Sequence, residues 1–169
     1  MKRLIYLAVL LTVSVALASS CDKDPRTLDG SSWTVTRYED LFAGTVVNSR
    51  NMDGTIDAFY ENGYLDLQIR TFGWDQGYWF EDGEYSIVKS TGQDFVIDLF
   101  YVEYDDVDRN LLEVVDTFHG KKIYHEVYEG QDYYYYFLPN GHAVDLGFED
   151  DYYYDTTRLY SKRAAGGYY

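Results

Sequence analysis

The sequence predicts an all-β fold: an antiparallel up-and-down β-barrel, with a two-sheet β-sandwich as the alternative. Three observations predict it. From Ser31 onward, apolar and aromatic residues recur with a period of two, the side-chain period of a strand. Turn residues, most of them a polar residue followed by Gly, interrupt that pattern every 8 to 12 residues or so, as in barrels and sandwiches. No segment carries an amphipathic helical period, and only Leu111-Leu112-Glu113-Val114-Val115 is ambiguous. The composition agrees. Twenty Tyr, nine Phe and three Trp among 169 residues favour strands, and the 46% apolar content is enough to build a core. The length suits one domain.

The N-terminal segment is an address rather than part of the fold. Lys2 and Arg3 precede an apolar run from Leu4 to Leu17, followed by the small residues Ala18, Ser19 and Ser20. A short apolar core behind a basic end reads as a secretory signal peptide over 1–20, since a bilayer span needs about 20 apolar residues; a buried N-terminal helix is the alternative. Leu17-Ala18-Ser19-Ser20-Cys21 resembles the lipobox of bacterial lipoproteins. That resemblance implies cleavage before Cys21, acylation of its thiol and amine, and attachment to the membrane through the acyl chains. Each buried CH₂ contributes about 0.8 kcal/mol, so several chains anchor the protein without any lipid-binding surface. The plainer reading is a secreted protein whose one Cys stands near its new N-terminus. Asp22-Lys23-Asp24 is similar to the acidic signals that carry some lipoproteins to the outer face of the outer membrane; it reads equally as a solvated stretch of a tether over 21–27.

The β-domain is expected over 28–163. Tyr64 to Arg70 alternates cleanly, with Leu65, Leu67 and Ile69 on one face. Thr55 to Tyr60 precedes it across Glu61-Asn62-Gly63, where Asn and Gly tolerate the positive φ of a type I′ hairpin. Breaks at Asp53-Gly54, Asp82-Gly83, Thr91-Gly92, Asp108-Arg109-Asn110, His119-Gly120, Glu129-Gly130 and Pro139-Asn140-Gly141 delimit the other strands. Those are 77–81, 84–88, 95–104, 111–118, 122–128, 133–138, 143–148 and 157–162. A tail follows over 164–169.

Several segments of this pattern carry a resemblance. Leu28-Asp29-Gly30-Ser31-Ser32-Trp33-Thr34-Val35 resembles the opening of lipocalin-like domains, and Phe59-Tyr60-Glu61-Asn62-Gly63-Tyr64 is similar to a hairpin of small bacterial lipocalin-like lipoproteins. Gly83-Glu84-Tyr85-Ser86-Ile87 and Arg158-Leu159-Tyr160-Ser161-Lys162 resemble a later strand and the closing strand of that family. The likeness spans residues 28–163. It implies a calycin barrel with Trp33 plugging its floor.

Charge narrows the function. A formal −15 argues against nucleic acid, whose binding needs clustered Lys and Arg, and against docking on anionic lipid through protein charge. Removal of residues 1–20 takes Lys2 and Arg3 with it and leaves −17. The lone Cys excludes an internal disulfide and any multi-Cys metal site. No nucleophile elbow and no phosphate-binding loop is present, so no enzyme activity and no cofactor are expected; a barrel enzyme, such as a hydrolase with paired carboxylates, or an enzyme inhibitor is the weaker alternative. Turn and surface positions account for His119, His125 and His142.

The leading expectation is an outer-membrane-anchored lipoprotein that binds a small hydrophobic or amphipathic ligand inside the barrel. Trp33, Trp74, Trp79, Tyr133, Tyr135 and Phe137 are the candidate contacts. On a strand Tyr133, Tyr135 and Phe137 face one side, and Tyr134 and Tyr136 the other. The alternative is an accessory envelope protein that binds a glycan or protein partner through surface aromatics, with the barrel filled. Asp106, Asp108 and Asn110 have the spacing that opens an EF-hand loop, a weak calcium candidate, since Leu111 and Thr117 stand where that loop needs Gly and Glu.

Overall fold

The computed structural model describes residues 25–71, 77–81 and 84–165. Cys21, most of the tether, Trp74, the Asp82-Gly83 break and the end of the tail lie outside the described residues. The chain is all-β and antiparallel, with thirteen strands and two short 3-10 turns among the described residues.

A first sheet of seven strands uses β1 (Ser31–Phe42), β2 (Thr45–Glu61), β3 (Tyr64–Thr71), β4 (Tyr78–Phe80), β5 (Tyr85–Ser90), β6 (Asp94–Phe100) and β13 (Thr156–Arg163). Its order is β4-β3-β2-β1-β13-β6-β5, the circuit of an up-and-down barrel with a seam between the consecutive strands β4 and β5. The sheet curls into a half-barrel. At the seam the phenol of Tyr85 on β5 donates to the carbonyl of Leu65 on β3 at 2.6 Å.

Between β6 and β13 the chain builds a second sheet from β8 (Glu113–Phe118), β9 (Lys121–Tyr128), β10 (Gln131–Phe137), β11 (Ala143–Glu149) and β12 (Tyr152–Tyr154). These run as a meander, β8 to β12, and the short β7 (Glu103–Tyr104) pairs with the start of β11. Two-residue turns make the hairpins cheap to close. Asn62-Gly63 holds φ of 53° and 92°, the pair of left-handed residues that a type I′ turn requires. Ala43-Gly44, His119-Gly120 and Glu129-Gly130 share the device.

Each sheet has its own core. Trp33, Val35, Ile56, Leu67, Phe95 and Ile97 fill the half-barrel, all of them fully buried. Phe42, Ile123, Tyr136, Val144, Leu146 and Tyr153 form the second core. Phe42 belongs to the tip of the β1–β2 hairpin, so the long hairpin pins the second sheet to the first. Asp155, at the corner between β12 and β13, completes the joint: one of its oxygens accepts from the Ala43 amide at 2.7 Å and from the Tyr136 phenol at 3.1 Å.

Most expected strands form within one or two residues of their sequence boundaries. Three expectations need correction. Asp53-Gly54 is not a turn; β2 runs through it, and the ladder to β1 shifts register there. A Cβ on Gly54 would run into the carbonyl oxygen of Arg70 on β3, so the glycine serves close strand approach rather than a reversal. The expected strand 95–104 divides into β6 and β7, and Arg109–Leu111 is a 3-10 turn ahead of β8. Tyr152–Tyr154, between the expected strands 143–148 and 157–162, forms a strand of its own, β12.

The bulge at Val35–Arg37 decides what faces the interior of the half-barrel. Before it, Trp33 and Val35 point inward. Without it, alternation would send Arg37 and Glu39 inward as well. One extra residue reverses the parity. Arg37 and Glu39 instead meet Tyr160 of β13, with the guanidinium 4.0 Å from the ring centroid and the phenol 2.7 Å from the carboxylate. Tyr38 and Asp40 take the inward positions, where they line a cavity.

Candidate functional site

That cavity, of about 710 Å³, lies in the half-barrel where it meets the β11–β12 corner of the second sheet. The size is ordinary for a small-molecule site, roughly 300–1,000 Å³. Ile69 of β3, Phe80 of β4, Leu99 of β6, Leu159 of β13 and Met52 of β2 supply an apolar wall. Each is an inward position of its strand, so the cavity is the unfilled part of the same interior that Trp33 and Phe95 occupy.

The opposite wall is polar. Asp40 is almost completely buried, and three neutral donors hold it: Asn48 Nδ2 at 3.0 Å, Thr157 Oγ1 at 3.0 Å and the Tyr152 phenol at 3.1 Å. Burial pushes its carboxyl above the ordinary range, partly offset by those hydrogen bonds. The Tyr152 phenol also meets Glu149. One phenolic proton thus lies between two carboxylates.

Glu149 in turn receives Arg50 Nη2 on both oxygens, at 2.9 and 2.8 Å. The Tyr152 hydroxyl first, and Arg50 second, hold the Glu149 carboxyl below its usual range. The Arg50 guanidinium lies 4.7 Å from the centroid of Tyr38. Burial raises the Tyr154 phenol far above its ordinary pKa, and its oxygen is 3.5 Å from that of Tyr101.

Thr71, at the end of β3, lines the cavity and is 5% exposed. Its hydroxyl has no hydrogen-bond partner among the described residues. A buried hydroxyl without a partner costs about 1–3 kcal/mol.

Of the six residues expected to contact a ligand, the five that are described fall in three separate places, and none of them lines this cavity. Trp33 is core: its indole N–H donates to Ser31 Oγ at 2.8 Å, and its ring packs 5.2 Å from Phe95. Trp79 is 59% exposed on β4, with its ring 6.0 Å from Phe59. Trp74 lies outside the described residues. Tyr133, Tyr135 and Phe137 do share one face of β10, opposite Tyr134 and Tyr136, as alternation predicts. That face belongs to the second sheet. Tyr133 and Tyr135 stack at 6.4 Å, Tyr104 packs on Tyr135, and Arg109 sits 4.4 Å over Phe137. The chain between β7 and β8 therefore straps over these rings.

Asp108 of the calcium candidate is occupied as the cap of the 3-10 turn. Its Oδ1 accepts the Asn110 amide at 2.9 Å and the Asn110 side chain at 3.0 Å. Among the described residues no three His, Cys, Asp or Glu side chains converge as a metal site would require. His125 pairs with Asp132 at 2.7 Å across a surface hairpin.

The residues that do form the cavity come from segments with no local motif. Asp40 is one polar residue in a polar stretch, and Thr71 and Leu99 are strand ends. The one available signal was a run of acidic and polar residues, 37–40, interrupting an otherwise alternating strand. The chain matches no protein-family model, no curated protein and no solved structure.

Proposed function

We propose that this protein binds a small amphipathic molecule in the half-barrel, in the manner expected of a lipocalin-like domain, and that acyl chains on Cys21 hold it at the outer membrane. The observation that supports binding is the cavity itself. It is large enough for a small molecule, apolar on the side of Ile69, Leu99 and Leu159, and polar on the side of Asp40 and Arg50. Apolar walls with a few placed polar groups are what a pocket for an amphiphile needs.

Anchoring rests on Lys2, Arg3, the apolar run and the Leu17–Cys21 motif. Cys21→Ser is the matching check: the variant is expected to leave the membrane fraction, and retention there would refute the anchor.

Binding is tested by thermal unfolding with a neutral amphiphile, 1-octanol, against wild type and Leu99→Trp. A ligand at about 100 times its Kd adds about 2.7 kcal/mol. Each kcal/mol moves Tm by roughly 2–4 °C at this chain length, so a shift of several degrees is expected in wild type. The added indole fills the cavity and is expected to abolish the shift. No shift in wild type, or an equal shift in the variant, overturns the reading.

One observation favours a second reading. Phe59 and Trp79 are both exposed and form a tilted pair on the outer face of β2 and β4, beside outward-facing Asp66 and Gln68 of β3. Aromatic rings flanked by planar polar side chains suit a sugar ring, so a glycan is the partner to try on that face. Loss of oligosaccharide binding in Trp79→Ala, with octanol binding retained, would separate the two sites.

A further inference from the structure

We infer that the cavity selects a ligand with a cationic head, an alkylammonium, over one with an anionic head. The inference deepens the binding reading above and rests on it.

Charge balance carries the argument. Asp40, Asp53 and Glu149 line the cavity, and Arg50 is the one cation among its described lining residues. Arg50 is matched to Glu149 by a two-oxygen contact. That leaves Asp40 and Asp53 without a cation. Asp53 is exposed and makes no ion pair among the described residues, whereas Asp40 is held only by the neutral donors Asn48, Thr157 and Tyr152. An alkyl carboxylate entering here meets two carboxylates. Arg50 already carries Glu149, so an anionic head drawn to it also lies against that carboxylate.

A second, independent feature points to the same ligand. The aromatic rings Tyr38, Phe80, Phe100, Tyr101 and Tyr154 line the space, and the negative face of an aromatic ring attracts an ammonium, best where water is excluded. The rest of the molecule adds to the field, since a chain of formal charge −15 draws cations toward it and repels anions.

The experiment is calorimetric titration of the purified full chain with three probes of one chain length: octyltrimethylammonium, 1-octanol and octanoate. Two uncompensated carboxylates in a partly water-filled cavity are expected to favour the ammonium over the carboxylate by about tenfold or more in Kd. The alcohol is expected to fall between them. In Asp53→Asn the ratio of ammonium to alcohol affinity should drop about threefold, and in Asp40→Asn/Asp53→Asn the order should flatten. Asp53 is at the surface, so that variant tests the charge even where Asp40→Asn fails to fold.

Equal or tighter binding of octanoate in wild type overturns the inference and leaves the cavity reading standing. So does an ammonium preference that survives removal of both carboxylates. Binding of none of the three overturns both.

Discussion

Asp155 joins the two sheets, and its removal is the sharpest test of how the molecule is assembled. The side chain is 8% exposed. Its Oδ2 accepts the Ala43 amide at 2.7 Å and the Tyr136 phenol at 3.1 Å, while Oδ1 accepts Thr156 Oγ1 at 2.9 Å. Its backbone N–H donates to Leu41 and its carbonyl accepts from Tyr101, so its position is fixed independently of the carboxylate. Asp155→Ala leaves an amide and a phenol without their acceptor.

Hydrogen bonds to a charged group contribute about 1.5–3 kcal/mol each, which puts the loss at roughly 3–5 kcal/mol. At 2–4 °C per kcal/mol that is a fall in Tm of roughly 6–20 °C. Asp155→Asn keeps one acceptor oxygen and is expected to lose about 1–2 kcal/mol. Urea unfolding of both variants, and of Tyr136→Phe alone and combined with Asp155→Ala, gives a coupling energy between the carboxylate and the phenol. A value of about 1 kcal/mol or more is expected for groups in direct contact. A loss below about 1 kcal/mol for Asp155→Ala, or strict additivity with Tyr136→Phe, would refute the joint.

Three further outcomes follow from local geometry. Gly147→Ala places a Cβ against the Tyr154 ring, with Cε2 and Cε1 at 2.6 and 2.7 Å; a loss of about 1–3 kcal/mol in urea is expected, shrinking in a Tyr154→Leu background, and an equal loss in both backgrounds counts against the clash. Asn62 sits at φ 53°, which a β-branched side chain resists, so Asn62→Val is expected to lose about 1–2 kcal/mol and Asn62→Gly close to none; chemical denaturation of the pair decides it. Lys162 and Lys89 hydrogen-bond Asp94 and hold its carboxyl at about 2, below its ordinary 3.8. A depressed carboxyl stabilises the fold above its unfolded pKa and loses that contribution as pH falls toward 2, so Asp94→Asn should flatten stability between about pH 4 and 2. Asp40, buried, and Asp145, half-buried, are raised by desolvation and act with the opposite sign: their contribution is greatest below pH 3.8 and fades as pH rises through their raised values. Denaturation midpoints across that range check the slope, and identical profiles for wild type and Asp94→Asn would contradict it.

The strands that were legible in the sequence are those with one buried and one wet face. Tyr64–Thr71 alternates buried and open residues nearly without fault, and Asn62-Gly63 fixed its hairpin in advance. The β1–β2 hairpin was legible only in part. Its bulges reverse parity, and Glu39, Asp40, Leu41 and Phe42 are buried in succession because the hairpin is covered on both faces. Period two cannot show that. Gly54 follows Asp and so imitates a turn, while its real constraint is the carbonyl of a strand that arrives later in the chain. The ligand contacts were illegible for a related reason. Aromatic size marked Trp33 and Tyr135, which are core and strap-covered. The cavity is defined by where side chains are missing, between Tyr38, Thr71, Leu99 and Tyr154, and that depends on pairing partners far apart in the chain.

The place of β13 has a consequence for folding. It lies between β1 and β6, pairing with both, yet it is the last of the described strands in chain order, and Thr36 bonds to Tyr160 across 124 positions. The meander β8–β12 closes through short local connections and needs nothing from the C-terminus. The first sheet, by contrast, stays as two separate ribbons, β1 to β4 and β5 to β6, until β13 arrives to bridge them. Until then two interior edges, β1 and β6, present unpaired amides and carbonyls, the arrangement that recruits foreign strands. Closure at such sequence separation is slow. A chain that stops before Thr156 therefore loses the bridge between two halves of its main sheet, and aggregation rather than a slightly shorter protein is the expected product.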